Sequence, residues 1–347
     1  APEKRMGFEM VQSAENGVFT LKVYYGTKTF LPSFLSKPLA GFLFIISFVK
    51  GYKFLLNNWH KPGIVHANVL TRVGMFALAL RWFAGIPYVI TEHWSRYLPL
   101  TGTYSGFLRK FLTRLVVRNA AAVSTVTVNL AKAMQQHGLQ NKHYTLLPNV
   151  VDTDEYSPSD GRIETGVKRF IHISCFEDRS KNISGLLHTL ARLSEVRSDF
   201  ECILVGEGMD LDLMKKLAND LNLATSRVKF TGLLENQDVV MAYREADFMV
   251  MFSNYENMPV VISEALACGL PVVATAVGGI PEFVNADNGR LIAARDEDAL
   301  LEAICFMLDH SHEYDRQKIR QNAVQVFGKP AVASKLKELY SFANSRL

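Results

Sequence analysis

The stretch from Asp247 to Glu282 reads DFMVMFSNYENMPVVISEALACGLPVVATAVGGIPE, and it predicts a strand, a loop, a helix and a second strand. The first apolar strand ends at Ser253, and a short polar loop follows. Pro259 suits the first turn of a helix, because its missing N–H would be unpaired there in any case. Gly269 then supplies a left-handed stop after Cys268. The helix N-terminus therefore points into the mouth of a sheet. Its free N–H groups and the positive end of its dipole make it a suitable binding site for a diphosphate.

Short apolar runs alternate with helix-period stretches along most of the chain, a pattern typical of an α/β protein with parallel sheets. The later runs are continuous rather than alternating, as expected for strands that helices cover on both faces. Predicted strands in the first part are Phe19–Tyr25, Ile64–Ala67, Tyr88–Thr91, Ala122–Val126 and Tyr144–Leu147. Predicted strands in the second part are Arg169–Ser174, Glu201–Val205, Val228–Thr231, Phe248–Phe252, Val272–Thr275 and Gly289–Ile292.

Between the two series, the sequence VVDTDEYSPSDGRIETG has the composition of a hinge. We therefore predict two Rossmann-like, doubly wound domains that face a central cleft, with ligands at the carboxyl ends of the strands. The first domain should cover residues 1–152, and the second, which binds the donor, should cover residues 153–330. Residues 331–347 are expected to pack back on the first domain.

Charge is unevenly distributed along the chain. The net charge of +4 combines 17 Lys and Arg against 4 Asp and Glu up to Val150 with 21 against 30 after it. This asymmetry suggests that the first half faces an anionic surface or ligand; a basic surface that only aids solubility is the alternative. Four cysteines without C-x-x-C spacing fit buried, reduced thiols and a cytosolic protein. The apolar run Ala40–Val49 is too short to span a bilayer and is predicted to be a buried helix; a helix that dips into a membrane surface is the alternative.

Glu256 lies in the loop before the predicted helix, and Glu264 follows it by eight positions, in the second helical turn. A carboxylate at the second position can accept hydrogen bonds from vicinal ribose hydroxyls, and one nearer the phosphates would meet a sugar. Two glutamates at this spacing are, taken alone, usually surface residues. The surrounding strand, proline-started helix and glycine stop favour a site.

Further stretches accompany this unit: VGEG at Val205–Gly208, VKFTG at Val228–Gly232, and LLPNVVD at Leu146–Asp152. With the two glutamates, they make the chain resemble the retaining glycosyltransferases of family 4, which carry an E-x7-E signature and the GT-B fold. The resemblance covers most of the chain and is dense in the second half. It implies transfer of a sugar from a UDP- or GDP-type donor, with retention of configuration, to a carbohydrate or lipid-linked acceptor.

The resemblance also implies roles for individual residues. Glu256 would contact the transferred sugar, Glu264 would hold the ribose, and Lys181 would bind the diphosphate. His93, at the end of a strand in ITEHWSRY, would lie near the sugar and acceptor. The remaining donor contacts would come from Gly206, Asn257, Met258, Pro259, Val260, Val261, Gly232, Leu233 and Leu234.

Two positions depart from the family pattern. Phe176 stands five residues before Lys181, where the family usually has Arg, and Arg179 is the cation that could replace that charge. Asn257 replaces a common Gly, which we attribute to the tolerance of Asn for left-handed backbone. His66 is a weaker candidate for the site, and His310 and His312 are predicted to be solvated rather than metal ligands.

Lys181, Arg179 and the helix N-terminus could neutralise the departing diphosphate without a metal ion or other cofactor. The D-x-D spacing from Asp152 to Asp154 falls in the hinge, far from the predicted site. The product would serve cell-surface polysaccharide or glycolipid synthesis, in the cytoplasm or on the inner face of the membrane. A GT-B-like sugar epimerase or phosphorylase, and a non-catalytic protein that binds nucleotide or lipid, are the alternatives.

Two expectations concern the first domain. FLRKFLTRLVVR, from Phe107 to Arg118, places basic residues beside apolar ones at helical spacing, as helices that dock on anionic membranes do; an ordinary helix packed on the sheet is the alternative. No nucleic-acid partner is expected. Family members open with a buried strand, a glycine loop, a helix and a second strand, whereas this sequence opens with the polar APEKRMGFEMVQSAENG. We therefore expect the first βαβ portion, about 40 residues, to be absent.

Overall fold

A computed structural model describes residues 8–15, 17–26, 33–159, 166–223 and 227–345. It clusters into two compact units, Ala1–Gly63 and Ile64–Leu347, which are described separately below. Residues 160–165 of the predicted hinge, the first seven residues of the polar opening and residues 346–347 of the predicted carboxyl-terminal segment lie outside the described residues.

The first unit begins with an antiparallel hairpin. β1 (Phe8–Glu15) pairs with β2 (Val18–Tyr25) in a register that sets Phe8 opposite Tyr25 and Glu15 opposite Val18. Gly17 has a φ of 78°, a conformation that glycine adopts without strain. The prediction of a first strand at Phe19 is therefore wrong, because β1 precedes it, and β2 belongs to a hairpin rather than to a parallel sheet. Its side chains alternate in exposure, as a two-stranded ribbon requires.

α1 (Ser33–Asn58) completes this unit. Its segment Leu39–Asn58 has a mean hydropathy of 1.7 and is long and apolar enough to cross a membrane by length and composition. Phe42, Ile45 and Val49 are exposed along it. Only 11% of its apolar window is buried inside the protein, so the prediction of a buried helix is wrong.

The second unit contains two lobes. In the first lobe, four parallel strands lie in the order β3-β4-β5-β6. These strands are β3 (Val65–Asn68), β4 (Tyr88–Glu92), β5 (Ala122–Thr125) and β6 (Tyr144–Leu146), and the helices between them are α2 (Val73–Ala84), α3 (Phe107–Asn119) and α4 (Val128–Gln136). All four strands were predicted to within one residue. Among the described residues β3 pairs with β4 alone, and the absence of a preceding βαβ portion stays a prediction.

The second lobe is a six-stranded parallel sheet in the order β12-β11-β10-β7-β8-β9. Its strands are β7 (Lys168–Ile173), β8 (Phe200–Val205), β9 (Val228–Gly232), β10 (Phe248–Met251), β11 (Val272–Thr275) and β12 (Gly289–Ile292). Its helices are α5 (Asp178–Lys181), α6 (Ile183–Val196), α7 (Leu211–Asp220), α8 (Gln237–Glu245), α9 (Val260–Ala267), α10 (Glu297–His310) and α11 (Arg316–Phe327). Strands β8 and β9 are added on one side of β7, and β10 to β12 are added on the other. The strand order therefore reverses between β7 and β10, and a crevice opens at their carboxyl ends, as in doubly wound sheets generally.

The last helix, α12 (Lys329–Asn344), returns to the first lobe. Leu339 and Ala343 are buried against Val89 and Ala122, in the middle of the first sheet. Phe342 stacks on His143 with ring centroids 3.8 Å apart. The chain therefore crosses between the lobes twice, once after β6 and once after α11.

The four cysteines are free thiols. Cys202 and Cys268 are buried as predicted, and Cys305 is half-buried. Cys175 is exposed, so the prediction of a buried thiol is wrong at this position. The reason is that Cys175 follows β7 at the carboxyl edge of the sheet, beyond the cover of the helices.

Candidate active site

The helix predicted to receive a diphosphate is α9. Pro259 precedes it in an extended conformation, and Gly269, at φ 69°, follows its last turn. The first N–H groups of a helix have no partner within it, so those of Val260 and Val261 are available to a ligand. The carbonyl of Met258, just before the helix, accepts from Asn149 of the first lobe at 3.4 Å. The N-terminus of α9 therefore lies at the boundary between the lobes.

Glu256 and Lys181 form an ion pair beside this helix end. The side chains are 10% and 15% exposed, so little water screens the pair. Ser253 donates its hydroxyl to Glu256 Oε1 at 3.1 Å and fixes the carboxylate further. A Cβ on Gly278 would lie 1.8 Å from the carbonyl oxygen of Glu256, so only glycine fits behind this loop. The structure brings these two predicted residues into direct contact.

Glu264 lies in the second turn of α9 and faces α8. Tyr243 donates its hydroxyl to Glu264 Oε2 at 2.9 Å. Burial raises the pKa of the Glu264 carboxyl, against the hydrogen bonds from Tyr243 and Tyr156 that lower it. The carboxylate is thus held by tyrosines and is separated from the cavity that contains Glu256.

The predicted base-binding glycines lie at the carboxyl ends of two adjacent strands. Gly206, after β8, donates its N–H to the carbonyl of Gly232 at 2.8 Å. Its φ is 133°, and an added Cβ would lie 1.9 Å from the carbonyl oxygen of Ser174. Leu233 is exposed after β9, and Leu234 packs on the core.

His93 follows β4 directly and lines the cleft. Its Nδ1 lies 3.2 Å from Asn149 Oδ1. The backbone beside it is held by Glu92, a fully buried carboxylate that accepts the N–H groups of His93 and Trp94 at 2.9 Å each and that of Leu70 at 2.9 Å. Sequence reasoning missed Glu92; an acidic residue at the end of an otherwise apolar strand was the available signal.

Asn257 joins the two lobes. Its Nδ2 donates to the carbonyl of His93 at 2.8 Å, and its Oδ1 accepts from the Thr127 hydroxyl at 2.9 Å. Asn257 is absent from the described residues with positive φ, so the explanation by left-handed backbone is wrong. The residue is accommodated because its amide finds partners in the opposite lobe.

A second contact between the lobes comes from Glu282. Its carboxylate accepts the N–H groups of Val128 and Asn129 at 2.7 Å each, at the N-terminus of α4. A carboxylate there also complements the positive end of the helix dipole. Sequence reasoning missed Glu282, since its partners lie more than 150 positions away.

Phe176 does not face the site. It is fully buried in the core of the second lobe, 6.1 Å from Phe230 between ring centroids. Arg179 is exposed and lines the interlobe cavity. The structure therefore places a cation at the cavity through Arg179, one turn away from the position where the family has its arginine.

The interlobe cavity has a volume of about 480 Å³. It brings together some predicted site residues with several from the loop after β4. Its lining residues are His93, Trp94, Ser95, Arg96, Thr101, Thr103, Arg179, Tyr255, Glu256, Asn257 and Met258. The predicted site residues outside this lining are Lys181, Glu264, Pro259, Val260, Val261, Gly206, Gly232, Leu233 and Leu234.

The other histidines lie away from the cavity lining. His66 contacts the Tyr340 hydroxyl at 2.8 Å through Nδ1 and the Thr91 hydroxyl at 2.6 Å through Nε2, and burial lowers its pKa. It therefore ties α12 to the first sheet. His310 is exposed and contacts Glu313 at 2.8 Å.

Comparison with known proteins agrees with this architecture. Residues 3–150 match the model of the glycosyl transferase 4-like domain, and residues 167–310 match that of glycosyl transferases group 1. A two-lobed α/β fold with a cleft at the strand ends, together with matches to both halves, defines the class. The chain belongs to the GT-B glycosyltransferase superfamily.

Individual relatives are distant. The MMP alpha-(1->4)-mannosyltransferase of Mycolicibacterium hassiacum is 27% identical over 304 residues, which are 82% of this chain and 71% of that protein. The sucrose-phosphate synthase of Thermosynechococcus elongatus has a TM-score of 0.80 at 21% identity and covers 97% of this chain and 86% of its own. Anabaena HepE, solved in complex with UDP, has a TM-score of 0.73 at 21% identity, with coverages of 85% and 82%.

Proposed function

We propose that this glycosyltransferase moves a sugar from a UDP- or GDP-linked donor to a carbohydrate or lipid-linked acceptor, with retention of configuration and without a metal ion. The observation that carries the proposal is the contact of Glu256 with Lys181 beside the N-terminus of α9. Glu256 lines the interlobe cavity, Lys181 pairs with it from α5, and the N-terminus of α9 follows two residues after Asn257 of the same lining. The UDP bound by HepE supports a uridine donor, and a GDP-type donor is the alternative.

The reaction breaks the bond between the anomeric carbon and the diphosphate oxygen, and it forms a bond from that carbon to the acceptor oxygen. Negative charge builds on the leaving diphosphate, and fixed cations and dipoles aimed at that charge are usually the largest catalytic contribution. Lys181, Arg179 and the N-terminus of α9 supply them here. The acceptor proton passes to a phosphate oxygen of the leaving group on the same face of the sugar.

Two residues would orient the sugar between the lobes. Glu256 accepts hydrogen bonds from sugar hydroxyls, and Lys181 and Ser253 fix the position of its carboxylate. His93 faces the same cavity from the first lobe, and its ring is held by Asn149. Glu264 would accept hydrogen bonds from the ribose hydroxyls once a nucleotide displaces the tyrosine contact.

The first lobe carries a surface suited to an anionic membrane, which we call the aromatic–basic face. It comprises the exposed apolar side chains of Phe107, Leu108 and Phe111 and the basic side chains of Arg114 and Arg118, all on α3. Phe107 is 88% exposed, Leu108 is 66% exposed and Phe111 is 55% exposed. Exposed aromatic side chains of this size are uncommon on a soluble surface unless they bind something.

Charge on the same face favours lipid headgroups as the occupant. A cavity of about 810 Å³ beside α3 is lined by Phe111, Arg114, Arg118 and Lys142, among others. Basic side chains next to exposed aromatic ones are the pattern of helices that lie at a membrane interface. The enzyme would thus work at the cytoplasmic face of a membrane, in the synthesis of a polysaccharide or glycolipid.

A panel of UDP- and GDP-sugars tests the proposal, with released nucleotide, transferred sugar and epimerised sugar measured separately and with EDTA in one arm. Release of nucleotide from one donor, retained in EDTA, with an α-linked product from an α-linked donor, is expected. Formation of epimerised sugar alone would favour an epimerase. Nucleotide binding without any turnover would favour the non-catalytic alternative. The buried Phe176, in place of an arginine at the site, is the observation that supports this alternative.

A further inference from the structure

The interlobe cavity has a wall that the donor chemistry leaves unused. This wall is the loop after β4, which contributes Trp94, Ser95, Arg96, Thr101 and Thr103 to the lining. All five belong to the first lobe, opposite the helix end and ion pair of the second. A sugar acceptor bound between the lobes would therefore meet this loop.

Arg96 is the charged residue of that wall. Its guanidinium carbon lies 3.9 Å from the ring centroid of Trp94, which is a cation–π contact. Its Nη1 donates to the Thr71 hydroxyl at a long 3.4 Å, and its Nε is buried with no hydrogen-bond partner. Among the described residues no carboxylate lies within ion-pair distance of Arg96, in contrast to Arg169 and Arg197, which each contact two.

The loop is folded around this residue. The Thr101 hydroxyl donates to the Arg96 carbonyl at 3.0 Å, and that of Thr103 does so at 3.4 Å. Glu92 holds the start of the same loop through the N–H groups of His93 and Trp94. The backbone of Arg96 is therefore fixed, whereas its guanidinium keeps unused hydrogen-bonding capacity at the cavity.

The other charged residues near the cavity do not use Arg96 as a partner. Lys181 pairs with Glu256, and Arg179 lies on the second lobe; both are assigned to the donor diphosphate in the proposed function. Arg96 is thus a further cation whose planar fork matches an oxyanion in two-point contact. Resting on the proposed function, we infer that Arg96 binds an anionic group of the acceptor, a phosphate or a carboxylate carried by a sugar.

Calorimetry with glucose 6-phosphate, glucuronate and glucose tests this inference by binding alone. The wild-type protein should bind at least one of the two anionic sugars about tenfold or more tightly than glucose, and Arg96→Gln should remove this preference. Comparing the phosphate with the carboxylate identifies the oxyanion. Arg81→Gln, at an exposed arginine on α2 outside the cavity, is the matched control and should keep the preference.

Three results would overturn the inference: equal binding of charged and neutral sugars, a preference that survives in Arg96→Gln, or displacement of the anionic sugar by excess UDP. The last would place the oxyanion in the donor site. Nucleotide binding and donor turnover are measured on the same samples. If the wild-type protein shows neither nucleotide binding nor donor turnover, the proposed function is refuted. The preference of Arg96 for an oxyanion is tested separately, by the sugar titrations alone.

Discussion

The side-chain amide of Asn257 donates to the backbone carbonyl of His93 at 2.8 Å, from one lobe to the other. On its other side the same amide accepts the Thr127 hydroxyl, and the Asn257 carbonyl accepts the N–H of Gly279 at 2.8 Å. The loop that carries Glu256 is therefore anchored to the first lobe and to the turn after β11. One buried amide holds the acceptor side and the donor side of the cleft together.

Asn257→Ala removes both contacts with the first lobe and leaves buried groups unpaired, at a cost of about 1–3 kcal/mol. We expect kcat/KM to fall about tenfold or more and the cleft to open, which small-angle scattering would detect as a larger radius of gyration. Asn219→Ala, at an exposed position on α7, is the control and should match the wild type. An Asn257→Ala protein with wild-type kinetics and dimensions would show that the amide does not hold the lobes.

Glu264→Ala should weaken binding of the nucleoside diphosphate by about 1.5–3 kcal/mol, because it removes a charged acceptor for the ribose hydroxyls. Burial raises the pKa of Glu264 above its ordinary value of 4.5. Since the ionised form binds ribose, wild-type affinity should fall as the pH is lowered toward that raised pKa, and affinity of the variant should not follow. Calorimetry at a series of pH values measures both, with Glu302→Ala on the exposed face of α10 as control. Affinity that rises on acidification would contradict the assignment.

Phe176→Arg, which restores the residue usual in the family, should unfold or strongly destabilise the second lobe. Phe176 is fully buried, and an arginine there would carry an unpaired charge into the core. Thermal unfolding measures the loss, and Arg179→Gln should lower turnover without a comparable loss of stability, because Arg179 is exposed. A stable Phe176→Arg protein with raised activity would mean that this backbone can present an arginine to the donor.

Replacing Phe107 and Phe111 by Ser should reduce co-sedimentation with vesicles that contain phosphatidylglycerol, because both side chains are exposed on the aromatic–basic face. Turnover with a soluble acceptor should be unaffected. Val196→Ser, an exposed apolar position at the end of α6 in the other lobe, is the matched control. Binding that ignores the anionic lipid content, or that persists in the double variant, would argue against this membrane surface.

Local patterns explain which parts of the fold were predictable. Each strand of the second lobe was predicted to within one residue, and the inner strands β10 (FMVM) and β11 (VVAT) are continuous apolar runs, as a covered parallel sheet requires. β1 was missed because its second half is exposed and polar and lacks an apolar alternation. Its partner β2 alternates apolar and polar residues and was therefore predicted.

The site also contains residues that the sequence predicted and residues whose roles it could not predict. Glu256 and Lys181 were predicted by resemblance, and their contact was not, because it joins positions 75 residues apart. The roles of Asn257, Glu92 and Arg96 depend on which groups face them after folding. A side chain that binds backbone groups of another element leaves no periodic pattern in the sequence. Such residues become visible only when the contacts themselves are known.

Donor turnover by Glu256→Gln tests the central claim most directly, since this residue faces the cavity and contacts Lys181. The account predicts that transfer is abolished, that nucleotide affinity is unchanged, and that thermal unfolding shows a folded protein. Gln keeps an acceptor for the Ser253 hydroxyl and removes only the charge. Wild-type transfer by this variant, or a loss of nucleotide affinity equal to that of Glu264→Ala, would contradict the account.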